Sequence, residues 1–465
     1  MSTSPTFAPD AAASAPFAPG PDDGFVKSLI KSRDYIANPV KRWTYLRETY
    51  GDVVRIALAG QTFNLVMSPE GAKQILLMEH KQYHKGLGMQ FIRKVLGNGL
   101  LTSEGSFWLR QRRIAQPAFH REYLKTFADT MVESTDWLLD RWEERYENAD
   151  RFDLAKEMNK LTLDIVARTL LSTNVRDAST HVSRVTTELF DLIIDRVNTY
   201  SLMPNWVPKP SMKRVEVLTG ELDKIVFGMI KERRQQREAD RPRDLLSMLM
   251  AASDADTGET MSDKQVRDEI LTMFIAGHET TALALGYLLY EVAQHPDIED
   301  KLLKEINRVT DGEKPGAEHV REMTYLRQVI DETMRLYPPA YALTRRPVHR
   351  TTVLGYQVTP QMSVVVLPII IHRHPDFWQR PLAFDPERFA PENVKQHHKY
   401  QYIPFGGGPR LCIGNNFALM EMQLCVARIL QRYRLEVVEA WKLETQTTIT
   451  LRPKYGIGMR IAGRR

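Results

Sequence analysis

The sequence predicts a mainly α-helical chain with a smaller β portion, organised as one large domain, and three observations carry that reading. Apolar residues recur at helical spacing from Tyr123 to Tyr146, Met158 to Leu171 and Thr186 to Thr199. A pattern of some 30 residues opens at Ser262, runs to about Gln294 and stops at His295-Pro296. Short extended runs gather near the two ends of the chain, so the β portion is assembled from both. No repeat and no linker divides the chain. Residues 25–465 are read as the domain, and the Ala/Pro-rich residues 1–24 as a disordered leader.

Each element has a local reason. Val53–Ala57 and Phe63–Val66 read as strands around a turn at Gly60-Gln61. Ser201–Ser211 holds three prolines and reads as a loop. Ser262-x-x-Gln265 has capping-box spacing, with Met261 and Val266 placed for a hydrophobic staple. That helix stops at His295-Pro296, because proline has no N–H to continue the ladder. A second helix covers Tyr325–Leu336 and ends before Pro338-Pro339. Tyr341–Val348, Val353–Val358 and Ser363–Ile371 read as extended, with turns at Gly355 and Pro360-Gln361. A last helix spans Asn416–Tyr433, and Thr447–Leu451 and Gly456–Ile461 read as closing strands.

Composition excludes several classes. Of 465 residues, 43% are hydrophobic and 26% charged, ordinary values for a globular chain. A net charge of +5 is too small a bias for a nucleic-acid binder. Two cysteines, Cys412 and Cys425, make neither a disulfide framework nor a four-thiolate zinc site. No run approaches the roughly 18 apolar residues of a membrane span; Val364–Ile371 is interrupted by Pro368. The N-terminus has no Lys or Arg before Lys27 and so lacks the basic features of a targeting peptide. A cytoplasmic location is expected.

Phe405-Gly-Gly-Gly-Pro-Arg-Leu-Cys412-Ile-Gly414 is the most informative stretch. Three glycines and a proline before a cysteine leave backbone N–H groups free to face a sulfur, and a helix N-terminus follows. Arg410 adds a fixed positive charge. With no second cysteine suited to zinc or an iron–sulfur cluster, a single axial thiolate on haem fits best. The spacing Phe405-x-x-Gly408-x-Arg410-x-Cys412-x-Gly414 resembles the haem-binding signature of the cytochrome P450 monooxygenases. The resemblance extends from about Phe25 to Ile461 and implies that family's fold.

Further motifs follow in the family's order. Glu332-x-x-Arg335 places both side chains on one helix face, and the resemblance implies a buried charge network completed by Arg388. Ala276-Gly277-His278-Glu279-Thr280-Thr281 lies within the long helix, where Gly277 is unfavourable by about 1 kcal/mol relative to Ala. It resembles the family's oxygen-activation motif. Glu279 is then the acid, Thr280 the hydroxyl with Thr281 ranked second, and Ala276 and Gly277 give room to cofactor and dioxygen. The resemblance assigns Trp108, Arg112, Arg345 and Arg410 to the haem propionates, and Phe405, Gly406 and Gly414 to the cofactor loop.

These matches imply haem b as cofactor, O2 as co-substrate, and insertion of one oxygen atom into a C–H bond of a hydrophobic small molecule. Fatty acids, terpenoids, steroids and macrolides are the classes considered. Leu100, Leu101, Ala342, Leu343 and Ile449 are the expected pocket lining. Electrons are expected from NAD(P)H through a ferredoxin and its reductase, or a flavodoxin-type carrier. Such a carrier would dock to a monomer over Arg110, Arg112, Arg113, His120, Arg121, Lys399 and Arg410. A hydroperoxide-using peroxygenase or isomerase is the competing enzyme class, disfavoured by the acid and threonine. A haem-based sensor or carrier is the non-enzymatic one.

Overall fold

The computed structural model describes residues 9–21, 38–58, 60–86, 88–146, 149–173, 211–254 and 256–465, with Val185, Glu188, Leu189 and Leu192. Most of the expected 186–199 helix, and residues 201–210 of the expected proline-rich loop, lie outside this set. In chain order the helical frame is α1 (Pro9–Ser14), α2 (Pro39–Tyr50), α3 (Gly88–Leu96), α4 (Gly105–Ala115), α5 (Ala128–Tyr146) and α6 (Leu154–Leu171). It continues with α7 (Ser211–Gln235), α8 (Leu245–Ala251), α9 (Asp263–Gln294), α10 (Pro296–Thr310), α11 (Thr324–Leu336) and α12 (Asn415–Arg432).

The strands are β1 (Val53–Leu58), β2 (Gln61–Val66), β3 (Tyr83–Lys85), β4 (Phe152–Asp153), β5 (Leu343–Pro347) and β6 (Thr351–Val353). After them come β7 (Tyr356–Val358), β8 (Met362–Val366), β9 (Tyr433–Val437), β10 (Thr445–Thr447), β11 (Leu451–Pro453) and β12 (Gly458–Arg464). A five-stranded sheet has the order β1-β2-β8-β5-β3, with β2 and β8 parallel and its other pairs antiparallel. β4-β12-β9 form a second sheet, and β6-β7 and β10-β11 are two-stranded.

Helix α9 is the axle. Ser262 caps it: its hydroxyl accepts from the Gln265 N–H, while the Ser262 N–H donates to Gln265 Oε1 at 2.7 Å. Met261 and Val266 are both buried beside the cap. Over 32 residues, about 48 Å of rod, its side chains are buried nearly all round, as in a helix through a protein's centre. It joins two apolar clusters, one with α5, α11 and α12, the other with α6, α7 and α8. Pro296 then opens α10 at its first position, where the missing N–H costs nothing.

Four expectations change. Pro368 starts a helical turn, Pro368–Ile371, so the extended run ends with β8 at Val366. The stretch 447–451 is the tip of a hairpin between β10 and β11, not a strand. The helix expected from Tyr123 is broken between Lys125 and Ala128. Lastly, residues 9–21 of the expected disordered leader are packed against the sheets. The Gln357 N–H donates to Pro16 O and the Arg55 N–H to Pro19 O, both at 2.8 Å. Ala18 is 1% exposed, and Arg55 lies over the Phe17 ring. A β-carbon on Gly20 would fall 1.8 Å from Arg55 O, so only glycine allows this approach. A proline-rich segment cannot form a ladder, but its carbonyls still accept hydrogen bonds.

Candidate haem-thiolate site

The cysteine loop is shaped by backbone bonds. The Gly406 N–H donates to Ile403 O, the Leu411 N–H to Gly408 O and the Cys412 N–H to Phe405 O, at 3.0–3.1 Å. Gly406 and Gly408 have φ of +76° and +66°. At Gly408 a β-carbon would also meet Leu76 O at 1.9 Å, so the glycine lets the loop lie against the helical turn Gln74–Met78. Cys412 is exposed as a residue although protein surrounds its sulfur closely, and α12 begins three residues later. Burial raises its pKa, while the Gly414 N–H and the Arg112 guanidinium pull it down. Arg112 Nη1 donates to Leu411 O at 2.9 Å. Cys425, by contrast, is fully buried in the α12 core.

Cations gather on another side of the loop. Arg410 stacks over the Trp108 ring at 4.1 Å, donates to Ser103 O at 2.8 Å and pairs with Glu104. Lys85 stands opposite Arg345 in the β3–β5 register, a like-charge pairing that is unfavourable by itself. Lys85 Nζ donates to the carbonyls of Leu100, at 3.0 Å, and Leu101. Burial, then Arg410, pushes Lys85 down to about 7 and Arg345 down to about 10, with Glu104 opposing in each case. Three enclosed cations around one acid form a site suited to further carboxylates. The structure thus unites Arg345, Arg410 and Trp108 with Lys85 and Glu104, while Arg112 stands at the cysteine. Lys85 and Glu104 were not foreseen: Lys85 reaches the group through strand pairing between distant segments.

On α9, Ala276 is exposed and Gly277 and Thr280 partly exposed, within a helix otherwise almost wholly buried. A β-carbon on Gly277 would touch only Val166, at an ordinary 3.6 Å, so helix packing does not demand the glycine. Thr280 Oγ1 donates to Ala276 O at 2.6 Å. Thr281 is 2% exposed, which leaves Thr280 as the accessible hydroxyl of the two. Glu279 is buried and accepts on Oε1 from Thr450 Oγ1 and from Arg452 Nε, each at 2.5 Å. His278 faces Asn159 O at 3.1 Å, and burial holds its pKa near about 4.

Leu100, Leu101 and Ile449 belong to the cluster that includes Phe274, Ile275 and Ile413, which ties α9 to the residue after the cysteine. Leu343 lies beside Gly406, and Ala342 packs with the sheet instead. Glu332 and Arg335 are fully buried, joined at 2.6 and 2.8 Å, with Arg388 3.4 Å from Glu332. The basic face differs from expectation. Arg110 pairs with Glu259 and Arg113 with Asp254 and Asp256, because an acidic turn before α9 folds back on α4, and Arg410 turns inward to Glu104 and Trp108.

An exposed cysteine held by a glycine loop, an accessible stretch of a buried helix and enclosed cations suit a flat dianionic haem with a thiolate ligand. Comparison with known proteins agrees. The Cytochrome P450 family profile matches residues 19–458. "Cyclooctatin synthase" of Streptomyces melanosporofaciens is 32% identical, over 86% of this chain and 87% of that protein. "Cyclooctat-9-en-7-ol 5-monooxygenase" of the same organism is 31% identical over 84% and 83%. A crystal structure of the cytochrome P450DA heme domain superposes with a TM-score of 0.86 at 26% identity, covering 97% of this chain and 98% of that one. The chain belongs to the cytochrome P450 family and is a monooxygenase of it, using haem and dioxygen.

Proposed function

We propose that Cys412 is the residue whose thiolate would hold the haem iron, and that the enzyme hydroxylates a hydrophobic, terpenoid-type small molecule. The carrying observation is the accessible Cys412 in its glycine loop, whose neighbour Ile413 packs in one apolar cluster with Phe274 and Ile275, just before the accessible stretch of α9. The relatives' named compounds, cyclooctatin and cyclooctat-9-en-7-ol, favour the terpenoid class among the four considered.

Haem, when bound, supplies dioxygen activation, favoured by electron donation from a thiolate ligand. The chain's own residues do the rest. Lys85, Arg345 and Arg410 bind the propionates, and Trp108 fixes Arg410. Thr280 and Glu279, on α9, would hold and move protons through water. Leu100, Leu101, Leu343 and Ile449 exclude bulk water and orient the apolar substrate. Electrons come from NAD(P)H through a separate ferredoxin or flavodoxin-type carrier. A cleft of about 360 Å³ adjoins the first turn of α12, four residues from Cys412; Arg121 and Arg321 border it with Lys125, paired to Glu122, and Arg327, paired to Asp331, and this edge is where that carrier would dock.

The test is optical titration of the purified ferric protein with limonene, dodecanoic acid, testosterone and a macrolide. A saturable low-to-high-spin shift with limonene alone, and loss of the thiolate-type reduced-carbonyl spectrum in Cys412→Ser, is the expected result. A thiolate-type spectrum surviving in Cys412→Ser overturns the ligand assignment. A shift with another class instead overturns the terpenoid assignment.

A further inference from the structure

The β10–β11 hairpin reaches Glu279 directly. Its tip is fixed to the rest of the protein by three bonds: Tyr341 Oη donates to Thr448 O at 2.5 Å, the Leu451 N–H to Pro339 O at 3.0 Å, and Tyr287 Oη to Leu451 O at 3.2 Å. Thr448 and Thr450 are 5% and 6% exposed, while Ile449 between them is partly exposed and packs with the apolar cluster of α9. One tip therefore presents Ile449 to the pocket and Thr450 to the acid. Arg452, two residues on, brings its guanidinium to the same Glu279 oxygen.

A carboxylate 4% exposed is unfavourable without a partner charge, and losing one member of a buried pair leaves the other uncompensated. His278, on the same helix, is kept neutral by burial and offers no counter-charge. Arg452 and Thr450 are thus what give Glu279 a partner charge and hold it aimed. Both bonds fall on Oε1.

We infer that Thr450 and Arg452 are positioning residues for proton delivery by Glu279, and that the hairpin links substrate contact at Ile449 to that acid. This rests on the role proposed above for Glu279. A substrate pressing on Ile449 moves the peptide that carries Thr450. The orientation of the acid, and with it the share of electrons reaching product, then depends on pocket occupancy. The hairpin is a specificity element for the proton path as well as for the pocket.

The experiment compares haem-loaded parent protein with Arg452→Met, Arg452→Lys, Thr450→Val and Glu279→Gln. Infrared spectra of the resting protein, with glutamate labelled by carbon-13, assign the Glu279 carboxyl by its loss in Glu279→Gln. Arg452→Met is expected to gain a protonated-carboxyl band that Arg452→Lys lacks. With the compound giving the largest spin shift, Arg452→Met should lower kcat on the order of tenfold, less than the roughly hundredfold or more that a general acid–base group itself contributes, because Glu279 is still present. KM should stay within about twofold and peroxide should rise at the expense of product, while Arg452→Lys recovers most of the loss. Thr450→Val is expected to fall between. An unchanged carboxyl band and unchanged coupling in Arg452→Met, with Glu279→Gln impaired, overturns the inference and leaves the acid role standing. Parent-like turnover in Glu279→Gln overturns the acid role itself. Should Arg452→Met fail to fold, Thr450→Val carries the same comparison, and parent-like coupling there overturns the inference.

Discussion

Lys85 is an amine held where a charge is unwelcome: buried, bonded to two carbonyls and faced by Arg345 and Arg410. Its value of about 7 lies below the ordinary lysine range, so the fold binds it less tightly protonated than the unfolded chain does. The sign follows. Between pH about 7 and the ordinary lysine range the unfolded state holds the extra proton, and stability without haem rises with pH through that window. Carboxylates arriving with haem favour the charged form. At pH 8 haem binding by the parent should therefore take up nearly one proton more than binding by Lys85→Met, and at pH 6 the difference should vanish. Calorimetry in buffers of different ionisation enthalpy measures it, and any proton released by Cys412 cancels in the comparison. Nothing in the sequence around Lys85 marks it, since its neighbours come from β5 and the cysteine loop. Cys412 was legible because its whole environment is local: glycines before it, a helix after it. Arg452 was missed for the same reason as Lys85, its partner Glu279 lying 173 residues away.

At the scale of elements, α11 shows how a helix is fastened to coil. Arg335 spends its guanidinium on both oxygens of Glu332 and on the carbonyls of His372, Pro381 and Ala383, at 2.6–3.0 Å. Glu332 also accepts the Asp385 N–H at 2.8 Å. The pair therefore pins the irregular chain 372–385, which has no ladder of its own, to a helix that does. Glu332→Gln should cost about 3–5 kcal/mol, as breaking buried pairs generally does, seen as a lower denaturant midpoint or loss of soluble protein. Lysine at 335 should not rescue, because it cannot supply the forked geometry. The motif and its spacing were readable, and so were the cap of α9 and the β1–β2 turn. The Pro368 turn and the 448–450 tip were not, since apolar and β-branched runs read alike whether they extend or turn.

For the molecule as a whole, the N-terminal arm joins two sheets that share no strand. Pro19 takes up the outward Arg55 N–H of β1, the edge of the five-stranded sheet, and Pro16 takes that of Gln357 on β7. Open edges invite pairing with another chain, and a proline-rich cover satisfies an edge without offering a new one. Removing residues 1–21 should lower stability by about 4 kcal/mol, since the two bonds from Gln357 Nε2 to Ala12 O and Ala13 O are lost with the two backbone bonds, at about 1 kcal/mol each. It should also raise self-association in concentrated solution, measurable by light scattering. Unchanged behaviour in both would reduce the arm to a passive tail.

The unequal fates of the two thiols have a practical consequence. Cys425 is sealed under the core and accepts a bond from Thr135 Oγ1 at 3.3 Å, so alkylating reagents cannot reach it. Cys412 is the exposed cysteine of the chain's two. A stoichiometric maleimide label on the native protein therefore counts molecules whose Cys412 carries no iron, turning one cysteine into an occupancy gauge for any preparation.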